Sequence, residues 1–147
     1  DEAYEPRTER FRDFYRMGYD TPLFSPTGGM KISAPDLAKY MMMHMNYGVS
    51  PEGVRIIPEN LSHEMQTPRS SDENYGLALW TTDEYSPGVT LTGHTGGAYG
   101  MRSAMFFNPE KKYGFICISN GAHEVANDGK TNILTGTLQR MYRNFME

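Results

Sequence analysis

The chain has 147 residues, enough for one domain and too few for two ordinary cores. Its 14 Lys plus Arg against 18 Asp plus Glu give a formal net charge of -4 and a pI near 5.6, which excludes the basic surface that general binding to nucleic-acid phosphates needs. Hydrophobic residues at 38% and charged residues at 22% are ordinary globular composition and argue against a disordered tail.

No apolar run approaches the roughly 20 residues of a membrane helix. The opening residues Asp1-Glu2-Ala3-Tyr4-Glu5-Pro6 carry neither a basic n-region nor an apolar h-region, so no signal peptide is expected there. The one cysteine, Cys117, leaves no internal disulfide framework and no multi-cysteine zinc site, and it says nothing about compartment.

Taken in chain order, the first two dozen residues mix Arg7, Arg10, Arg12 and Arg16 with Glu5, Glu9 and Asp13, punctuated by Phe11, Phe14 and Tyr15. They read as a solvated helix or a packed strap. Two prolines and two glycines make Thr21 through Gly29 a loop. A helix follows. Ser33 suits its N-cap, Pro35 its first turn, and Asp36 the positive helix end. Leu37, Tyr40, Met41 and Met45 recur at helical spacing, and Gly48 stops it. A second, short helix is expected from Pro58 to Gln66, with Leu61 and Met65 one turn apart and Pro68 ending it.

The period then changes to two. Tyr75, Leu77 and Leu79 alternate with Gly76, Ala78 and Trp80; Val89 and Leu91 with Thr90 and Thr92; Met101, Ser103, Met105 and Phe107 with Arg102, Ala104 and Phe106. Asn108-Pro109-Glu110-Lys111 is a turn. Tyr113 to Ser119 predicts a further strand. Its run Phe115-Ile116-Cys117-Ile118, apolar on both faces, suggests a central strand covered on both sides. Short connections make these strands antiparallel neighbours. The segment from about Asn127 to Phe145 predicts a last helix, with Ile133, Leu134, Leu138, Met141 and Phe145 in one apolar stripe. The predicted class is therefore α+β, an antiparallel sheet flanked by helices.

The stretch most suggestive of chemistry is Gly93-His94-Thr95-Gly96-Gly97-Ala98-Tyr99-Gly100. Glycines let backbone approach a ligand closely. An imidazole and a hydroxyl beside them offer a titratable group and a donor, and exposed backbone N–H groups can hold an oxyanion. On local pattern alone the stretch fits a glycine-rich hairpin with a surface histidine equally well.

Three segments together carry a resemblance. They are Gly28-Gly29-Met30 followed by Ser33-Ala34-Pro35-Asp36-Leu37-Ala38-Lys39-Tyr40; Tyr75-Gly76-Leu77-Ala78-Leu79-Trp80; and Gly93-His94-Thr95-Gly96-Gly97 with Gly100, Ser103, Pro109 and Asn120. The chain resembles the C-terminal part of the serine β-lactamase/penicillin-binding-protein superfamily, in its class C β-lactamase-like branch of β-lactamases, esterases and D-amino-acid peptidases. The family's third motif is Lys-Thr-Gly or His-x-Gly on a strand lining the cleft. The resemblance places His94 at its first position, Thr95 at the middle and Gly96 at the glycine. It implies that His94 and Thr95 contact substrate or poise the nucleophile and that the Gly97 N–H donates to an oxyanion. Tyr99, just beyond the motif, fits a cleft-lining residue and a plain turn aromatic equally well. Histidine carries less charge at neutral pH than lysine, so it attracts a substrate carboxylate less strongly and leans toward esterase or peptidase variants.

The family's first motif, Ser-x-x-Lys, supplies the nucleophile and its activator. No serine of this chain has lysine three residues later. Tyr142-Arg143-Asn144 has the letters of the second motif, Tyr-x-Asn, but follows the third motif instead of preceding it, and is read as coincidence. The expectation is that residues 1–147 are the C-terminal portion of one such domain. The intact enzyme would form an acyl-enzyme on a serine outside the chain, and the chain alone would be inactive. The implied partner is a small-molecule or peptide substrate held jointly with the missing N-terminal part. The implied location is periplasmic or extracellular. Strands missing from the sheet would leave an edge open to self-association. The alternative is a non-catalytic binding module on the same scaffold. No cofactor is implied. His44, His63, His94 and His123 form no ligand-spaced pair, so no metal site is expected. Met41, Met42, Met43 and Met45 read as core, Arg102 as a solvated residue or a carboxylate contact, and Cys117 as buried and inert.

Overall fold

Ser33 opens the first described helix. Its side chain accepts a hydrogen bond from the Asp36 N–H at 3.3 Å and donates to the Asp36 carboxylate at 2.7 Å, so one of the N–H groups that a helix start leaves unpaired is satisfied. The Ser33 hydroxyl, and then Lys39, hold the Asp36 carboxyl below its ordinary range. In this computed structural model, which describes residues 30–70, 74–98, 101–120 and 133–147, that helix is α1 (Ala34–Met45). It is followed by α2 (Glu59–Gln66), β1 (Trp80–Thr82), β2 (Leu91–Ala98), β3 (Met101–Asn108), β4 (Tyr113–Asn120) and α3 (Ile133–Met146). The expected strap before residue 30 and the start of the last helix before residue 133 lie outside the described residues.

The four strands form one antiparallel sheet in the order β1-β2-β3-β4. The α+β class predicted from periodicity is the class observed. Alternation sends successive side chains to opposite faces. Met105 and Phe107 of β3 pack with Met41 and Met45 of α1, joined by Ile116 of β4. Ala104 and Phe106 pack with Leu91, Phe115 and Tyr85 against Leu134, Leu138 and Tyr142 of α3. The result is three layers, helix on sheet on helix. Each fully buried Phe or Leu contributes on the order of 1.5–3 kcal/mol.

Polar contacts fix the layers in register. Lys112 Nζ donates to the Met45 carbonyl at 2.9 Å, satisfying an end carbonyl of α1 and placing a cation at its negative end. The Asn108 carboxamide accepts from the N–H groups of Glu110 and Lys111 and donates to the Thr90 carbonyl at 3.1 Å, so the predicted turn is tied to the start of β2. Gln139 of α3 donates to the Glu84 carbonyl at 2.8 Å.

Two expectations are corrected. The run Tyr75 to Leu79 is not a strand, and strand begins only at Trp80. Tyr75 makes an isolated bridge to Trp80, and between them Ala78 takes a φ of +61°. That left-handed conformation turns the chain back on itself. Alternating residue size could not report it. The Tyr113–Asn120 strand is covered on both faces, as its apolar run implied, but it ends the sheet among the described residues, and β2 and β3 are the interior strands. Apolarity on two faces records helices above and below, not neighbours on either side.

His44 is fully buried, and neither ring nitrogen has a hydrogen-bond partner. It sits edge-on to Tyr40 and stacked on Phe107, and Gln66 of α2 donates to its carbonyl. Burial holds the imidazole below its ordinary value of 6.5, because the charged form loses its hydration. The unfolded chain therefore binds a proton that the folded chain refuses. Stability should be full above pH 6.5 and fall as pH drops through and below it. Urea midpoints at pH 7.5 and 5.5 should differ more for the native chain than for His44→Leu. An equal drop in both would refute this assignment.

Candidate active site

β1 is three residues long, and its pairing with β2 stops at Trp80 opposite Gly93. From His94 onward β2 has β3 as its one strand neighbour in the sheet. Among the described residues, His94, Thr95, Gly96 and Gly97 therefore lie along a strand edge left open by the short β1. Open edges present unpaired backbone groups to whatever approaches.

The glycines have distinct reasons. A Cβ on Gly93 would meet the Met105 carbonyl oxygen and lie 2.7 Å from both Cα and Cδ1 of Phe106. This glycine is therefore a packing residue that admits the Phe106 ring beneath β2. A Cβ on Gly97 would meet a guanidinium nitrogen of Arg102, the residue opposite it. A half-buried cationic side chain thus lies against the far end of the motif. A Cβ on Gly96 would be 2.6 Å from the Ser103 hydroxyl.

His94 is exposed and Thr95 half-buried. His94 pairs with Met105, whose side chain belongs to the α1 face, and Thr95 pairs with Ala104 of the α3 face. The imidazole and the hydroxyl therefore leave the strand on opposite faces. A ligand along the open edge can meet both, whereas a ligand on one face meets one. Gly96 and Gly97 are exposed beside them, and Tyr99 lies outside the described residues.

No local pattern pointed to the group that touches His94. The Tyr75 hydroxyl is 2.5 Å from His94 Nε2, with the rings edge-to-face at 5.7 Å. The other ring nitrogen, Nδ1, contacts the Thr95 carbonyl oxygen. Tyr75 and His94 are 19 positions apart, and no local spacing links them. Tyr142, of the misplaced Tyr-x-Asn triplet, is buried with its ring against Phe115 and Tyr113, while Asn144 is exposed. That triplet is helix packing. Cys117 is half-buried beside the α3 cluster, and burial pushes its thiol up. Among the described residues, no group of three or more His, Cys, Asp or Glu comes together as metal ligands.

Among the described residues the chain is an α+β scaffold, an antiparallel sheet covered by helices, with the glycine-rich His-Thr-Gly stretch along an open strand edge. The Beta-lactamase family model matches residues 2–137, and the chain belongs to that family, within the serine hydrolase superfamily the residues resemble. Comparison with curated proteins and with solved structures yields no match.

Proposed function

We propose that this chain forms one wall of the substrate cleft of a serine hydrolase of the class C β-lactamase-like branch, as the C-terminal portion of its catalytic domain. The nucleophilic serine and its activating lysine lie in polypeptide outside residues 1–147. In the intact enzyme the serine oxygen would attack a carbonyl carbon and form an acyl-enzyme, and water would release the acid. His94 and Thr95 would contact substrate or poise the nucleophile. The Gly97 N–H would donate to the oxyanion, and Tyr99 would border the cleft. β-Lactams, D-amino-acid peptides and small esters are the candidate substrates. The observation that carries this reading is the stretch of β2 beyond Gly93, where the His-Thr-Gly residues stand on an open edge.

The test is turnover of nitrocefin and p-nitrophenyl esters. The isolated chain should show none, because it holds no Ser-x-x-Lys. The longer protein should hydrolyse at least one class and take a fluorophosphonate label on a serine outside this chain. Turnover by the chain alone would contradict the mechanism. A longer protein that neither hydrolyses nor labels would favour a binding module. Export to the periplasm or cell surface belongs to the same proposal, and so does self-association of the isolated chain through the outer edge of β4. A single monomeric species in light scattering would count against that association.

A further inference from the structure

We propose that Tyr75 is a positioning residue for His94. It donates its phenolic hydrogen to Nε2 and so holds the neutral imidazole in one orientation, with the ring proton on Nδ1. The inference rests on the reading of His94 as a site residue, and its physical basis is separate from any turnover.

The contacts of the two ring nitrogens set the tautomer. Nδ1 faces the Thr95 carbonyl oxygen, and a carbonyl can only accept. In a neutral imidazole one nitrogen carries hydrogen and the other a lone pair. The nitrogen at the carbonyl must be the one with hydrogen, since two lone pairs at that separation repel. Nε2 is then the acceptor. The group 2.5 Å away, the Tyr75 hydroxyl, has a hydrogen to give it. The opposite assignment would leave Nδ1 and the carbonyl in conflict. A donor on one nitrogen and an acceptor on the other fix both the proton and the ring plane, as happens for orienting partners of functional histidines generally.

Tyr75 is well mounted for this role. Its carbonyl accepts from Arg69 N–H at 2.7 Å. On either side of it, Thr81 N–H donates to the Asn74 carbonyl and Gly76 N–H to the Leu79 carbonyl. Leu77 N–H donates to the Met65 carbonyl of α2 at 2.9 Å, and a Cβ on Gly76 would collide with that same carbonyl. Backbone from α2, the following loop and β1 thus converges on this residue. The left-handed turn at Ala78 brings it back alongside Trp80, so that its ring reaches past the end of β1 to the first residue of the open edge. Having donated its hydrogen to Nε2, the phenol oxygen keeps its lone pairs for a group in the cleft.

Long-range proton–nitrogen correlation NMR of the chain, with His94 assigned by comparison with His94→Gln, reads the tautomer directly at alkaline pH. A neutral histidine free in water favours the Nε2–H form. His94 is expected instead to show a protonated Nδ1 and a bare Nε2. Dominance of the Nε2–H form in the native chain would overturn the inference. Tyr75→Phe removes only the hydroxyl and should bring back an Nε2–H population. An unchanged tautomer in that variant, with the β3 and β4 amide spectrum intact, would assign the orientation to the Thr95 carbonyl alone and also overturn it. If Tyr75→Phe does not fold, the native-chain spectrum still decides. The two readings fail separately. An inactive longer protein with Nδ1–H on His94 sinks the hydrolase proposal alone, and ester turnover with Nε2–H on His94 sinks this one alone.

Discussion

Phe106→Ala is expected to remove about 3–5 kcal/mol of folding stability, the range for deleting a large aromatic from a packed core. Phe106 is fully buried at the centre of the α3-side cluster. Its ring meets Trp80 edge-to-face at 5.3 Å and Tyr85 at 4.7 Å, and such pairs add to the area they bury. It also lies on β3, a strand that carries ladders on both sides along its length, so the backbone around it has no freedom to collapse into the void. Against the 5–15 kcal/mol that typically holds a domain folded, such a loss is a large share of the total. Urea unfolding followed by Trp80 fluorescence would measure it. A loss below about 1 kcal/mol would mean that the cluster is not the core described here.

Gly93→Ala should be the most damaging of the motif's glycine substitutions, at about 3 kcal/mol, the upper end for overpacking. The added methyl would run into the Met105 carbonyl and the Phe106 backbone. Gly93 is paired with Trp80 on one side and Phe106 on the other, so β2 cannot retreat without breaking a ladder. Gly96→Ala is the control, because its methyl would meet the Ser103 hydroxyl, a side-chain group that can rotate away. The order of midpoints should be native, then Gly96→Ala, then Gly93→Ala well below. Equal losses at the two positions would remove the packing explanation for Gly93. This result matters for function, since it separates the glycine that seats the strand from the glycines that stand on its open edge.

Several parts of the molecule were legible before any coordinates. Ser33, Pro35 and Asp36 mark a helix start by capping chemistry that acts within four residues. Leu134 and Leu138 mark a stripe by helical spacing. The strands from Leu91 onward follow a period of two. All of these signals are local, and local spacing is what a chain records most directly. The His94-Thr95-Gly96-Gly97 stretch was legible for the same reason, and so was the absence of a Ser-x-x-Lys. The strand expected at Tyr75 to Trp80 was misread because size alternation is indifferent to the sign of φ at Ala78. The end position of β4 among the described residues was not legible, because an apolar run counts covered faces and not neighbouring strands.

The amino-acid sequence by itself determined the α+β class, the Ser33 helix cap and the period of the strands, because each depends on residues a few positions apart. Only the tertiary structure decided that the β1 pairing stops opposite Gly93 and leaves the His-Thr-Gly stretch on an edge open among the described residues, that His94 and Thr95 leave opposite faces of β2, that the His44 ring is buried against β3 with neither nitrogen hydrogen-bonded, and that Tyr75 meets His94. Each of these depends on groups brought together by backbone pairing and packing across long stretches of chain, and no spacing along the sequence encodes that contact.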